Sequence, residues 1–300
     1  MPTSIECAGR HPRGAIVFGR FLLHLLCFLR PEHKLGTPLR AACCLTPVRR
    51  ASTFPPMCTL LVGMDRPRAG MLLLGANRDE ALSRPALSPH VLVRQPRIVA
   101  GRDSLAGGTW LGVQETDLVV ALLNRMTPEG TEARWESGQE PDRSRGLLCL
   151  DALRMNGAEH AMTWLADEVL TCRYAPFSLF VADRLGAHLA YWDGAALRTE
   201  TLRPGWHVVT HNDADDFLDP RAELAHTLLR QSPPRVLEDL APVLQSHEGG
   251  RSICLHADGH GTVSSSLIQM QWDLPENARF LHAAGRPCVT PYQDLSSLLA

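Results

Sequence analysis

Two apolar runs, Cys58 to Met64 and Met71 to Ala76, flank the short stretch Asp65-Arg66-Pro67-Arg68-Ala69-Gly70. Runs of this length bounded by Pro and Gly read as buried strands joined by a short loop. The first opens on a cysteine directly after Met57, and the second stops on Asn77-Arg78-Asp79-Glu80. This stretch constrains the chain most. It sets a nucleophilic side chain beside a compact polar cluster at one end of a hairpin.

Everything upstream of Met57 is a different kind of sequence. Residues 1–56 hold seven Arg, one Lys and two Glu, a net of +6, whereas residues 57–300 carry a net of −8. Such a step marks a domain boundary, with 57–300 as the functional domain. Ala15 to Leu29 is apolar, but at 15 residues with Arg20 and His24 inside it is too short to span a membrane. Residues 1–56 are expected to be an over-extended reading frame with initiation at Met57. A cleavable targeting segment, Arg-rich and acid-poor, and a folded N-terminal element are the alternatives. An overall charge of −2 excludes a general nucleic-acid binder. Cys58, Cys149, Cys172, Cys254 and Cys288 are widely spaced, odd in number and without a CxxC pair, which fits neither a disulfide framework nor a zinc site. A reduced, cytoplasmic setting follows as the expectation.

Downstream, short strands are expected at Ile98–Asp103, Thr109–Val113 and Leu118–Leu123, the last ending in Asn124-Arg125. Ser83-Arg84-Pro85 and Ser88-Pro89-His90 read as a punctuated loop, and about 127–142 as another. Helices are expected from Ser144, a candidate N-cap, to Met155 and from Ala158 to Leu170. Strands return at Phe177–Ala182, Ala187–Trp192, Leu197–Leu202 and Trp206–Thr210. Helices follow from Asp219-Pro220 to Leu229 and over Val236–Leu244, then a hairpin, Ser252–His256 and Thr262–Met270, around Asp258-Gly259. Strands, helices, strands, helices and strands in blocks, without βαβ alternation, give an α+β class with antiparallel sheets and segregated helices.

A cysteine at a mature N-terminus offers its thiol as nucleophile and its own α-amine, with a pKa near ~8, as base. Initiator methionine is readily removed before a residue as small as Cys58. By spacing alone, a Cys in an apolar strand also reads as a small core residue. Met57-Cys58-Thr59-Leu60, Asn77-Arg78-Asp79-Glu80 and Arg84-Pro85 resemble the NRDE family, whose animal members are the transport and Golgi organisation 2 proteins. The likeness extends in order through Ala100-Gly101-Arg102-Asp103, Gly107-Gly108-Thr109-Trp110-Leu111-Gly112, Ala121-Leu122-Leu123-Asn124, Ser144-Arg145-Gly146, Pro204-Gly205-Trp206-His207 to Asn212, and Gly261-Thr262-Val263-Ser264-Ser265.

That family is similar to the cysteine branch of the N-terminal-nucleophile hydrolases, with the bile-salt hydrolases and penicillin V acylase. The resemblance implies a four-layer αββα sandwich acting on a small amide or thioester. It implies Cys58 as nucleophile, Asp79 bonding the α-amine or thiol, Asn124 and Asn212 as oxyanion donors, and Asn77 and Arg78 ordering the loop or binding substrate. It implies no cofactor and no metal, with haem as a possible carried ligand. Its alternative is a non-enzymatic haem or acyl-lipid binding and trafficking protein, since animal relatives are linked with those roles. Two departures stand out. The hydrolases place Arg two residues before their Asn-x-Asp-like element, where Gly75-Ala76 stand here; Arg78 is the candidate substitute. Relatives tend to carry Arg where this chain has Val263. His256 and His260, flanking Asp258-Gly259, are candidate metal or haem ligands against a solvated reading. Asp213, Asp215, Asp216 and Asp219 lack a calcium-loop pattern and read as solvated surface.

Overall fold

The computed structural model describes residues 58–65, 70–115, 117–126, 140–248 and 251–300. The expectations for residues 1–56, and most of those for the 127–142 loop, lie outside the described residues. Strands and helices are numbered in chain order. Six strands form one antiparallel sheet in the order β10 (Gly205–Val209), β1 (Thr59–Met64), β2 (Met71–Ala81), β11 (His260–Gln271), β12 (Arg279–Ala283) and β13 (Gln293–Asp294). Seven form a second in simple succession: β3 (Ala86–Arg94), β4 (Arg97–Asp103), β5 (Leu111–Gln114), β6 (Leu118–Asn124), β7 (Phe177–Asp183), β8 (Gly186–Trp192) and β9 (Leu197–Thr201).

Side chains alternate across a strand, so each buried strand serves two layers. Leu60, Val62, Leu72, Leu74, Ile268 and Phe280 of the first sheet meet Val119, Ala121, Leu123, Phe180 and Leu189 of the second in one apolar cluster. Their neighbours Leu61, Leu73, Leu267 and Leu281 point the other way, onto Leu224, Leu229, Leu240 and Leu244. Those belong to α3 (Pro220–Gln231), to the 3-10 turn Leu237–Leu240 and to α4 (Ala241–Leu244). Helices α1 (Arg145–Ala152) and α2 (Ala158–Thr171) cover the far face of the second sheet over β6, β7 and β8. The result is a four-layer αββα sandwich. Burying each Leu stabilises by roughly 1.5–3 kcal/mol, which is why apolar runs rather than alternating patterns mark these strands.

The cap expected at Ser144 is present, and the helix start expected at Asp219-Pro220 is capped as well. Ser144 accepts from Gly146 N at the start of α1, and Asp219 accepts from Arg221 N at the start of α3 with Pro220 behind it. Three expectations change. Ser88-Pro89-His90 lies inside β3, not in a loop; β3 is an edge strand whose pairing with β4 shifts between Leu87 and His90, so Pro89 costs no interior ladder bond. Ser252–His256 is not a strand and keeps only a single bridge, His256 to Gly261. Finally, β2 runs through the polar tetrapeptide to Ala81 instead of ending before it.

Candidate active site

Because Asn77-Arg78-Asp79-Glu80 is strand, its side chains alternate between layers. Asn77, opposite Thr59 on β1 and Ser265 on β11, is buried, and its Nδ2 donates to the carbonyls of Leu244 (2.9 Å) and Ile253 (3.0 Å). The Asp79 carboxylate points toward the same helical side. Its Oδ2 accepts from Arg221 Nη1 of α3 at 3.0 Å, and its Oδ1 accepts from Thr262 Oγ1 at 2.6 Å. Arg78 and Glu80 turn instead into a cavity of about 370 Å³ lined by residues of both sheets, Cys58 and Asp79 among them. Arg78 donates to Asp103 at 3.2 Å and lies over the Trp110 ring at 4.4 Å, while Arg84 Nε holds the same Asp103 carboxylate at 2.6 Å.

The Cys58 thiol donates to the Asp79 carbonyl at 3.8 Å. Burial, and then the negative charge of Asp79, push the thiol up to about 11. Burial also lifts the Asp79 carboxyl to about 6 against the opposing pull of Arg221 and Thr262. A thiol at that level is protonated at neutral pH and needs a base. Among the described residues that line the cavity there is no histidine.

Asn124 ends β6 and lines the cavity, and its amide makes no hydrogen bond among the described residues, so its donors are available to a ligand. Asn212 is not part of the lining. Its Nδ2 donates to Asp216 at 2.8 Å, and its carbonyl accepts from Arg125 Nη1 at 2.8 Å. Asn77 is likewise outside the lining, committed to the helix layer and to the loop before β11. Val263 sits at the irregularity of β11 between Thr262 and Ser264, opposite the Arg78–Asp79 step of β2. The buried cation on Asp79 comes from Arg221 instead, from a helix start that signalled only a cap in the sequence. Arg78, the candidate substitute, pairs with Asp103 and not with Asp79.

Several neighbours were not legible as site residues. Arg125 and Arg145 bring guanidinium groups to the wall. Arg125 bonds Ser178 Oγ (3.1 Å) and Asp213 (2.8 Å) and packs over Tyr191. The acidic run is therefore not simply solvated surface. Asp213 pairs with Arg125 and Arg198, Asp215 receives His207 and His226 at 2.7 and 2.8 Å, and Asp219 caps α3. Trp110 is half-buried, lining the cavity and packing against the apolar cluster between the sheets. Gly107-Gly108 turns the chain between β4 and β5, with Gly107 at φ 76°. A Cβ on Gly108 would lie 2.1 Å from Gly146 C at the start of α1, so only glycine allows that approach. No hydrogen bond joins His256 to His260 among the described residues; His260 Nδ1 is buried without a partner.

Comparison with known proteins agrees with this architecture. The family model described as Transport and Golgi organisation 2 matches residues 57–273. A mouse protein, Transport and Golgi organization 2 homolog, is 37% identical over 100 residues, 31% of this chain. That alignment covers 33% of the mouse protein's length. Among solved structures, the Caenorhabditis elegans ortholog of N-acylethanolamine-hydrolyzing acid amidase superposes with a TM-score of 0.51 at 15% identity, covering 72% of this chain and 93% of its own. A mutant conjugated bile acid hydrolase from Clostridium perfringens gives 0.48 at 9% identity, over 81% of this chain and 94% of its own. Over three-quarters of the residues from Met57 onward are thus matched by one family, and the chain belongs to the Transport and Golgi organisation 2 family, on the fold of the N-terminal-nucleophile hydrolases.

Proposed function

We propose that the domain from residue 57 onward is a cysteine N-terminal-nucleophile hydrolase of a small amide or thioester. The observation that carries this reading is the position of Cys58. It directly precedes β1 in the lining of the cavity, with the uncommitted Asn124 amide in the same lining and the Asp79–Arg221 pair next to it. With Met57 removed, the α-amine of Cys58 supplies the base beside the thiol, in a cavity that no histidine lines among the described residues. The amine takes the thiol proton as sulfur attacks the acyl carbon. Asn124 Nδ2 donates to the oxyanion, and the ammonium returns its proton to the leaving amine or thiol. Water then attacks the thioester, the amine accepts a water proton, and the acid leaves as the thiol re-forms. Asp79 and Arg221 position the head of β1, and Arg78 offers positive charge to the substrate. Asn212 and Asn77 act in this scheme by holding the walls.

The alternative is a binding or trafficking protein on the same fold, for haem or an acyl lipid. What supports it is burial: with Met57 attached, the thiol is pushed up to about 11 and has no free α-amine beside it. Cys58, Cys149, Cys254 and Cys288 are free thiols while Cys172 is disulfide-bonded, and among the described residues no helix is long and apolar enough to cross a membrane. The two readings separate when the chain is expressed from Met57, methionine removal is confirmed by intact mass, and an acyl-donor or electrophile probe is added. Hydrolase chemistry gives fast, selective labelling of Cys58 that Asp79→Ala diminishes. Labelling no faster than at Cys149 or Cys288 sinks it.

A further inference from the structure

On the opposite side of β2 from the cavity, four side chains converge that the proposed reaction does not use. His247 follows α4, Cys254 and His256 lie on the connection into β11, and Cys288 comes from the turn after β12. One donor atom from each of the four lies within 4.8 Å of all the others. Cys254 Sγ is 3.6 Å from Cys288 Sγ and 3.7 Å from His256 Nε2, and His256 Nε2 is 3.3 Å from Cys288 Sγ. The His247 and His256 rings meet edge to face at 4.7 Å.

These separations match the edges of a coordination tetrahedron. Metal–sulfur bonds of ~2.3 Å and metal–nitrogen bonds of ~2.0–2.1 Å, at tetrahedral angles, imply S···S edges of ~3.8 Å and S···N edges of ~3.5–3.6 Å. We propose that Cys254, Cys288, His256 and His247 form a structural zinc(II) site. Two thiolates and two imidazoles select zinc over calcium or magnesium, which require oxygen donors. Four protein ligands leave no position for water, so the site is closed rather than catalytic. Cys254 is buried and Cys288 half-buried, while both histidines are exposed, so the ion has an entry path from solvent. Loading it releases one proton from each thiol.

The site would brace the wall behind Cys58. Leu255, between two of the ligands, donates its N–H to Thr262 Oγ1 at 2.8 Å, and that hydroxyl donates to Asp79 at 2.6 Å. Asn77 holds the carbonyl of Ile253, next to Cys254, and Gln245 Nε2 donates to Pro287 O, next to Cys288. The 34-residue separation between the two cysteines hides the set from any spacing rule; topology assembles it.

The full chain, purified under reductant and stripped with chelator, is titrated with cobalt(II) and then zinc(II). The expected result is one equivalent of cobalt with thiolate-to-metal charge-transfer bands, displaced by one equivalent of zinc. Cys288→Ser and His256→Ala should each weaken cobalt binding beyond the ~10–100-fold carried by outer-sphere partners, with folding checked by circular dichroism. Cys149→Ser should bind as the parent does. Absence of the bands in the reduced parent overturns the proposal, as do unchanged bands in both ligand variants. A Cys254–Cys288 disulfide in protein isolated without added oxidant also overturns it.

Discussion

The central strand pairs of the two sheets are both largely buried but built from opposite materials. In the seven-stranded sheet, β6 and β7 are apolar from Leu118 to Leu123 and from Phe177 to Ala182, broken only by Ser178. In the six-stranded sheet, β2 and β11 bury Asn77, Arg78, Asp79, Thr262, Ser264, Ser265 and Ser266. Polar groups at that depth cost free energy unless each finds a partner. Here Asn77 Nδ2, Asp79, Thr262, Ser265 and Ser266 all have one. One pair is scaffold, the other is a hydrogen-bonded platform for charge. Depth alone says little about chemistry; what fills the depth does.

The comparison breaks most decisively at the head of β1. Cys58→Ala should abolish probe acylation and turnover while shifting the urea unfolding free energy by less than ~1 kcal/mol, since only a small side chain is lost. A variant that retains measurable turnover removes the contrast between platform and scaffold. On the other sheet the effect reverses. Phe180→Ala should cost ~3–5 kcal/mol of stability in urea titrations, and the fraction that remains folded should label at Cys58 as the parent does.

Asn124→Ala and Asn212→Ala sharpen the contrast within the site. If Asn124 is the oxyanion donor, its removal lowers kcat by ~10²–10³. Asn212→Ala, whose amide is held by Asp216, should act mainly on thermal stability. Equal kcat losses would place both amides at the reacting carbonyl. The smallest expected effect is a pH dependence. Asp79 sits at about 6 in the folded chain, above its unfolded value near ~3.9. Its contribution to stability is therefore fully present below pH ~4 and is lost as pH rises through about 6. Asp79→Asn should flatten that part of the stability–pH curve, measured by chemical denaturation at each pH.

The layers were legible because burial on both faces leaves unbroken apolar runs such as Leu118–Leu123, and because Ser144 and Asp219-Pro220 announce helix starts chemically. Ser88-Pro89-His90 was not, since an edge strand tolerates proline and so looks like a loop. Cys58, Asp79 and Asn124 could be placed from ordered motifs at strand ends. Asn212 and Asn77 come from the same motifs yet lie outside the cavity lining, because a motif names a residue without saying which way its side chain points. Arg221 left no signal beyond its helix turn; its partner lies 142 positions earlier in the chain, and only the packing of α3 brings them together.

The tetrapeptide on β2 can finally be seen as two messages written in alternate letters. Asn and Asp address the helices, Arg and Glu address the cavity, and a single strand delivers both. A one-residue slip of β2 against β1 and β11 would send every letter to the wrong recipient: carboxylates into each other's places, the guanidinium into an apolar layer. Such a strand is intolerant of insertion or deletion in a way that an ordinary core strand, apolar on both faces, is not. Length variation between the two apolar runs should therefore be confined to residues 65–70, leaving the spacing from Met71 to Ala81 fixed.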